Sequence, residues 1–332
     1  MSDPRGQILF LSKGDHAAST RYRALGFFPM LEAAGYQPIH LSTRGGLGQQ
    51  AAILKQAKRS AVTICLRRTF NGPFRYLLRR AARRLVFDFD DAIYTSAQGP
   101  SPSRLRHFRA MVSGCDCVCA GNETLADQTR AFNRQVHVLP TCLDLAKYVP
   151  ADPAKLDPRK LVWIGSRSTR RYITDLLPAL ERAADKVPGL SLRIIADFEL
   201  TSDKLPIESV PWSSQAEARL LAECGIGLAP LSDDPWTRGK CGFKLIQYMA
   251  ARLPALCSPV GANAQIVVDG QTGLHASGDT DWPDAIQRLC AAPQQAGAMG
   301  QAGRKRAEQQ YSLEVVGSQW LEVIRGLLEG PR

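Results

Sequence analysis

The chain has 332 residues, with 42 Lys and Arg against 31 Asp and Glu, a formal net charge of +11 and 45% apolar residues. This is the balance of a folded chain in water: it excludes wholesale disorder, and no stretch nears the roughly 18 consecutive apolar residues that span a bilayer. The surplus charge lies wholly in the first half, since residues 1–150 carry 21 basic and 10 acidic side chains and the remainder 21 and 21.

In chain order, short apolar runs alternate with longer helical patterns. ILFLS (8–12) reads as a strand, RYRALGFFPMLEAAG (21–35) as a helix closed by Gly35, and QPIHLS (37–42) as a second strand. A helix near 47–59, the strand AVTICLR (61–67), the helical FRYLLRRAARR (74–84) and LVFDFDD (85–91) follow. A helix at 101–113, CDCVCA (115–120), a short helix at 123–132 and VHVLP (136–140) complete the series. The Pro- and Asp-rich stretch 141–160 has neither helical nor strand period and reads as a linker. A second series then runs through LVWIG (161–165), a helix at 169–186, SLRIIA (191–196), a helix at 215–222, CGIGLAP (224–230), a helix at 243–252, PALCS (254–258) and helices to about 329. Strands separated by helices of this length predict β-α-β units and parallel sheets. The expected organisation is therefore two doubly wound α/β domains, 1–150 and 151–332, with ligands beyond the carboxyl ends of the strands.

Processing and thiol chemistry add little. The N-terminal apolar run stops at Lys13 and lacks a signal peptide's cleavage site. Nine cysteines without a secretion signal predict reduced thiols and a cytoplasmic protein. Cys115, Cys117 and Cys119 recur at a spacing of two, on one face of a strand, and read as buried apolar side chains rather than zinc ligands. None of the five histidines pairs with a Ser or Cys in a recognisable nucleophile motif, so no hydrolytic triad is expected.

The segment DDPWTRGKCGFKLIQYMAARLPALCSPVGANAQIVVDGQTGLHA (233–276) is the most informative. A Gly-containing loop enters a helix near Gly242, with Lys240 in the loop and Lys244 in the first turn. Backbone N–H groups and the positive dipole end there suit an anion, and two ammonium groups suit a diphosphate. A pair of lysines merely solvated beside a helix start is the other reading. Asp88, Asp90 and Asp91 lie at the carboxyl end of a strand, where alternation sets Asp88 and Asp90 opposite Phe87 and Phe89. Carboxylates bunched there need a ligand, cations or N–H groups.

The same segment resembles the donor-binding stretch of the retaining family-4 glycosyltransferases of the GT-B fold. Met249-Ala250, Leu253-Pro254, Ser258, Val260-Gly261, and Gly270 with Gly273 match that family's short motifs in order. LVWIGSRSTRRYITDLLPAL and GAMGQAGRKRAEQQYSLEVV resemble the donor domain's first strand-loop-helix and its late helix pair. VFDFDDAIY, AGNETLADQ and VHVLPTCLDLAKYVP resemble a subgroup with D-x-D-D-A, G-N-x-x-L-A and P-x-x-x-D-x-x-x-Y patterns, and Gly239–Lys244 carries its G-K-x-G-x-K motif. The likeness spans roughly residues 8–325. It implies a GT-B architecture, two Rossmann-like domains facing each other across a cleft, with the C-terminal helix returning to the first.

The resemblance also implies site residues. Gly165, Ser166, Arg170, Lys240, Gly242, Lys244 and Gln247 would bind the donor. Arg21, Arg23, Asp90, Asp91 and Asn122 would bind the acceptor, and Asp88, Asp90, Asp91, Lys240 and Lys244 are the catalytic candidates. For several of these a structural role stays open: Thr169 as a helix cap, the aspartates as caps, Arg21 and Arg23 as a solvated helix start. Residues 196–212 would set the nucleobase. The family carries two glutamates eight positions apart, where this chain has Gly239 and Gln247. Substitution by Asp233 or Asp234, a divergent branch and loss of activity all stay open.

The expected function is a retaining, nucleotide-sugar-dependent glycosyltransferase in cell-envelope polysaccharide or glycoconjugate synthesis. Its donor would be UDP- or GDP-linked, its acceptor a glycan or lipid-linked sugar, and it would need no cofactor and no metal. The basic first domain suggests peripheral attachment to an anionic membrane surface at the inner face of the cytoplasmic membrane. Two rivals remain: an epimerase or phosphorylase on the same fold, and a non-catalytic anionic-polymer binder resting on the arginines of 67–84. No nucleic-acid motif accompanies those arginines, and no nucleic-acid partner is expected.

Overall fold

A computed structural model describes residues 6–96, 98–149 and 156–330. The chain forms two compact units. The first comprises Met1–Cys142, Arg238–Cys241 and Leu313–Arg332; the second comprises Leu143–Thr237 and Gly242–Ser312. The division differs from the expected one at 150. It falls at Cys142, the segment 238–241 joins the first unit, and so does the last helix. Part of the expected linker, 150–155, lies outside the described residues.

Unit 1 is built on β1 (Gln7–Ser12), β2 (Gln37–Ser42), β3 (Val62–Leu66) and β4 (Leu85–Phe89). A two-residue hairpin follows, β5 (Thr95–Ser96) with β6 (Gly99–Pro100), then β7 (Cys117–Ala120) and β8 (Val136–Val138). The six parallel strands run in the order β2-β1-β3-β4-β7-β8. The helices are α1 (Ala18–Arg23), α2 (Phe28–Ala33), α3 (Leu47–Arg59), α4 (Gly72–Ala81), α5 (Pro102–Gly114) and α6 (Glu123–Arg130). Central strands such as Val62–Leu66 are apolar on both faces because helices cover both. The single helix expected at 21–35 is broken. Pro29 opens α2 in its first turn, where a missing N–H costs nothing, and a short 3-10 turn (Leu25–Phe27) separates it from α1.

Unit 2 repeats the plan with β9 (Lys160–Ile164), β10 (Ser191–Ala196), β11 (Ile207–Pro211), β12 (Ile226–Ala229), β13 (Ala255–Cys257) and β14 (Gly273–His275). All are parallel, in the order β11-β10-β9-β12-β13-β14. Its helices are α7 (Arg170–Lys186), α8 (Glu217–Ala222), α9 (Phe243–Ala250), α10 (Asn263–Ile266), α11 (Asp281–Ala291) and α12 (Pro293–Gln310). Leu161, Trp163, Ile194 and Leu228 of the sheet form one core with Ile173 and Leu180 of α7 and Ile286 of α11. Edge strand β11 had no clear strand pattern; it is short and half-exposed, and it ends on Pro211, which only a sheet edge accepts.

The last helix, α13 (Leu313–Glu329), belongs to unit 1. Its Val316, Trp320, Val323 and Ile324 complete the core over Ile8, Phe10, Val62, Ile64 and Val86. Gly317 is needed for that fit: a Cβ there would lie 2.4 Å from the Met30 sulfur. Cys117 and Cys119 face the same core, and all nine cysteines are free. Among the described residues, no helix is long and apolar enough to cross a membrane.

Candidate functional site

In each unit the chain leaves its first strand in one direction across the sheet and later continues on the other side. The reversal falls between β1 and β3 in unit 1 and between β9 and β12 in unit 2, and crevices at carboxyl strand ends open at such points.

In unit 2 the reversal is wedged open by Tyr248 of α9. Gly227 lacks a side chain where the tyrosine ring passes; a Cβ would lie 2.3 Å from its Cγ. The hydroxyl accepts from the Ile164 N–H at 3.2 Å and donates to the Leu228 carbonyl at 2.9 Å, bridging strands that no longer pair. Just beyond, Trp163 folds beneath Gly165, where a Cβ would stand 2.1 Å from the ring. The Lys244 ammonium lies over that indole, 4.2 Å from its centroid. This cation–π contact holds the lysine at the carboxyl end of β9. Gly242, at φ +59, caps α9 and lies against Ile266 and Asn263, where a side chain would not fit.

The Gly165–Thr169 loop departs from its expected role as a cradle of free N–H groups. The Gly165 N–H donates to the Ile195 carbonyl, that of Ser166 to Thr169 Oγ1, and that of Arg167 to Asp197 Oδ1 at 2.6 Å. Thr169 closes the 3-10 turn Arg167–Thr169 by accepting from the Ser166 N–H, and although it stands at the start of α7 its side chain makes no cap bond to that helix of the kind the alternative reading expects. What the loop exposes is hydroxyl: Ser166 Oγ and Ser168 Oγ lie 2.8 Å apart. Arg170 stacks over Phe198 at 5.2 Å, and Arg171 over Tyr172 at 4.7 Å.

Gln247 is buried, 4% exposed, and does not present its amide to a ligand. Its Nε2 donates to the Tyr148 hydroxyl at 3.5 Å; that hydroxyl donates to Glu217 Oε1 at 2.6 Å, and Trp212 Nε1 donates to Oε2 at 2.6 Å. Asp234 does not replace the missing glutamate either. It accepts from the N–H groups of Trp236 and Thr237 and from the Ser232 hydroxyl. Burial opposes ionisation there, but these donors hold its carboxyl below the usual range.

In unit 1 the three expected aspartates separate. Asp88 is fully buried, and Arg23, 2% exposed, grips it with Nε at 2.9 Å and with Nη2, while Arg23 Nη1 reaches the Leu139 carbonyl. Burial pushes the Asp88 carboxyl up from its ordinary range and Arg23 pulls it down. The expectation of Asp88 as a catalytic group and Arg23 as an acceptor ligand is thus corrected: each is consumed by the other. Asp90 and Asp91 lie past the strand end and meet Arg67, at 3.3 Å and 2.8 Å. Burial raises the Asp91 carboxyl, with Arg67 and then Lys240 opposing. Arg67 was read only as part of a basic stretch; its place directly after β3, at the reversal in the sheet, was the available signal. Arg21 stacks over Tyr22.

Asn122 is likewise corrected from acceptor ligand to anchor. Its Oδ1 accepts from the Leu125 N–H and so caps α6. Its Nδ2 donates to the Lys240 carbonyl at 3.1 Å and the Gly239 carbonyl at 3.5 Å. The segment Arg238–Cys241 is pressed close: a Cβ on Gly239 would lie 2.6 Å from Ala92 Cβ, and one on Gly121 2.4 Å from Cys241 Sγ. Lys240 and Lys244, expected as one pair, belong to different units.

One arrangement was missed altogether. His40 stands between Ser12 Oγ and Asp15 Oδ1, each at 2.7 Å. Its Nδ1 carries the proton toward the carboxylate, leaving Nε2 to accept from Ser12. The order is that of a hydrolytic triad, but Ser12 is 1% exposed and also engages Thr20 Oγ1 and the Gly14 N–H. It ties β1 to β2 rather than offering a nucleophile. Among the described residues no three His, Cys, Asp or Glu side chains are placed to hold a metal ion.

Two doubly wound parallel sheets, each with a reversal point, define the GT-B class of α/β protein, and comparison with known structures agrees. The sucrose-phosphate synthase (tll1590) from Thermosynechococcus elongatus superimposes with a TM-score of 0.77 at 17% identity, over 97% of this chain and 99% of that one. Anabaena Alr3699/HepE, solved in complex with UDP-glucose, gives 0.73 at 13% identity, over 97% and 100%. In sequence, residues 158–292, which lie within unit 2 apart from Arg238–Cys241, match the family described as Glycosyl transferases group 1. The alpha-maltose-1-phosphate synthase of Mycobacterium tuberculosis (strain CDC 1551 / Oshkosh) is 23% identical over 223 residues, 57% of this chain. The chain spans just over half of that relative's length, 56%.

Proposed function

We propose that the protein is a retaining glycosyltransferase that moves a sugar from a UDP- or GDP-sugar to a glycan or lipid-linked acceptor in cell-envelope glycoconjugate synthesis. The observation that carries this reading is Lys244, held over Trp163 at the sheet reversal within the glycosyltransferase domain. An ammonium so placed, at the start of α9, neutralises charge on a departing nucleoside diphosphate, and preorganised charge of this kind is the main source of rate enhancement in such transfers. The exposed Ser166 and Ser168 hydroxyls supply further donors. A UDP-glucose complex of Anabaena Alr3699/HepE, which shares the fold, supports a UDP-linked donor. In the same-face mechanism a donor phosphate oxygen accepts the acceptor's proton, so no protein base is assigned. Asp90, Asp91 and Arg67, at the carboxyl edge of the first sheet, are the proposed acceptor contacts. The positive surplus of residues 1–150 favours an anionic acceptor or surface.

Thermal-shift titration with UDP, GDP, ADP and dTDP tests this directly. We expect stabilisation by UDP or GDP, and Lys244→Ala should abolish it without lowering the melting temperature of the free protein by more than a few degrees. No shift with any of the four nucleotides would refute the donor site.

A further inference from the structure

We propose that the layer formed by α3, α4 and α5 is a docking face for an anionic lipid bilayer. From Ala33 to Phe87 the chain contains no Asp or Glu, and none from Ala92 to Cys115. These stretches contain all three helices, which carry nine Lys and Arg and no carboxylate. The inner positions are apolar: Ile53 and Ala57, Phe74 and Leu78, Phe108 and Met111 are buried. The cations therefore collect on the outside, where Lys55, Arg59, Arg80, Arg106 and Arg109 are exposed. The three helices pack as neighbours, so their outer faces form one surface.

Ordinary exposed helices intersperse acid and base, as unit 2 does with Arg219–Glu223 and Lys186–Asp284. Here, among the described residues, Arg79 with Asp116 is the one ion pair made by the nine. Counter-charge must come from outside the chain. Apolar side chains stand on the same helices: Leu47 is 83% exposed, Tyr76 62% and Leu77 49%. A tyrosine alone could stack on a nucleobase, but the two exposed leucines have no such use, and at a headgroup layer all three enter the acyl boundary while arginines reach the phosphates. That combination favours a bilayer over nucleic acid. The inference stands apart from the donor-site reading, because none of these residues lies at either sheet reversal.

Sedimentation with phosphatidylcholine vesicles, with and without 30% phosphatidylglycerol, tests it on the full chain. We expect binding only to the anionic vesicles, falling steeply between 50 and 500 mM salt. Each surface cation is worth about fivefold in affinity. Arg80→Glu with Arg106→Glu should therefore weaken binding by well over tenfold, and Tyr76→Ser with Leu77→Ser should weaken what remains at high salt. Unchanged far-UV circular dichroism and melting would show that the variants fold. Equal binding to neutral vesicles would overturn the proposal. So would wild-type affinity in a folded charge-reversal variant, or tighter binding to a DNA or RNA duplex that ignores Tyr76 and Leu77.

Discussion

At Gln247 the choice of amide over carboxylate follows from the proton count in the buried chain it joins. Tyr148 has one hydroxyl proton and gives it to Glu217, so the group facing its oxygen must donate. A glutamate could not donate unless protonated, and would add a second buried charge near Glu217. The residue is legible as a departure from the family pattern, but its reason is not, since Tyr148 and Glu217 are 99 and 30 positions away. His40 shows the same gap: period and composition gave no hint that the register of β1 and β2, which sets His40 opposite Phe10, would bring its ring diagonally to Ser12. Burial lowers the His40 pKa below 6.5, with Asp15 opposing. A base with a depressed folded pKa contributes stability that is complete above pH 6.5 and lost as pH falls through the folded value. The urea midpoint should therefore drop between pH 7.5 and 5.5, and His40→Gln should remove part of that drop. Identical pH profiles for the two proteins would show that another group is responsible.

At the scale of elements, the strand-helix alternation predicted the sheets well because parallel strands buried on both faces are continuous apolar runs. The strand ends were harder. Asp88, Asp90 and Asp91 are adjacent in sequence, yet the last strand residue, Phe89, divides a structural ion pair from partly exposed groups. The segment Arg238–Cys241 is set by backbone proximity, which leaves only glycine as a trace in sequence. Gly239 stands where the family resemblance places its first glutamate, and the packing against Ala92 explains the absence of any side chain. Gly239→Glu is accordingly expected to lower transfer activity at least tenfold rather than restore a lost contact, because the Lys240 backbone would leave Asn122. Steady-state kinetics on UDP-glucose with an acceptor mixture would check it; activity at or above the parent's would contradict the account.

At the scale of the molecule, the two halves differ in charge and in the helices that close them. Removing residues 313–332 takes Trp320, Val323 and Ile324 from the core over β1 and β3, about 1.5–3 kcal/mol for each large apolar side chain. Hydrogen exchange on the truncated chain should show lost protection for β1, β3 and β4 while β9 and β12 keep theirs. Protected β1 amides would mean that α13 is dispensable.

Unit 1 is assembled from three separate stretches of chain, and this constrains inheritance as well as folding. Genes that diversify by trading one specificity half for another need breakpoints that leave each half whole. A single crossover near Cys142 would set one parent's sheet against the other's tail, with Gly317 and Met30 no longer matched in size. Viable recombinants must exchange the tail together with the head, or descend from parents whose terminal helices already agree. Covariation between residues near 30 and near 317 is the mark this would leave among related genes.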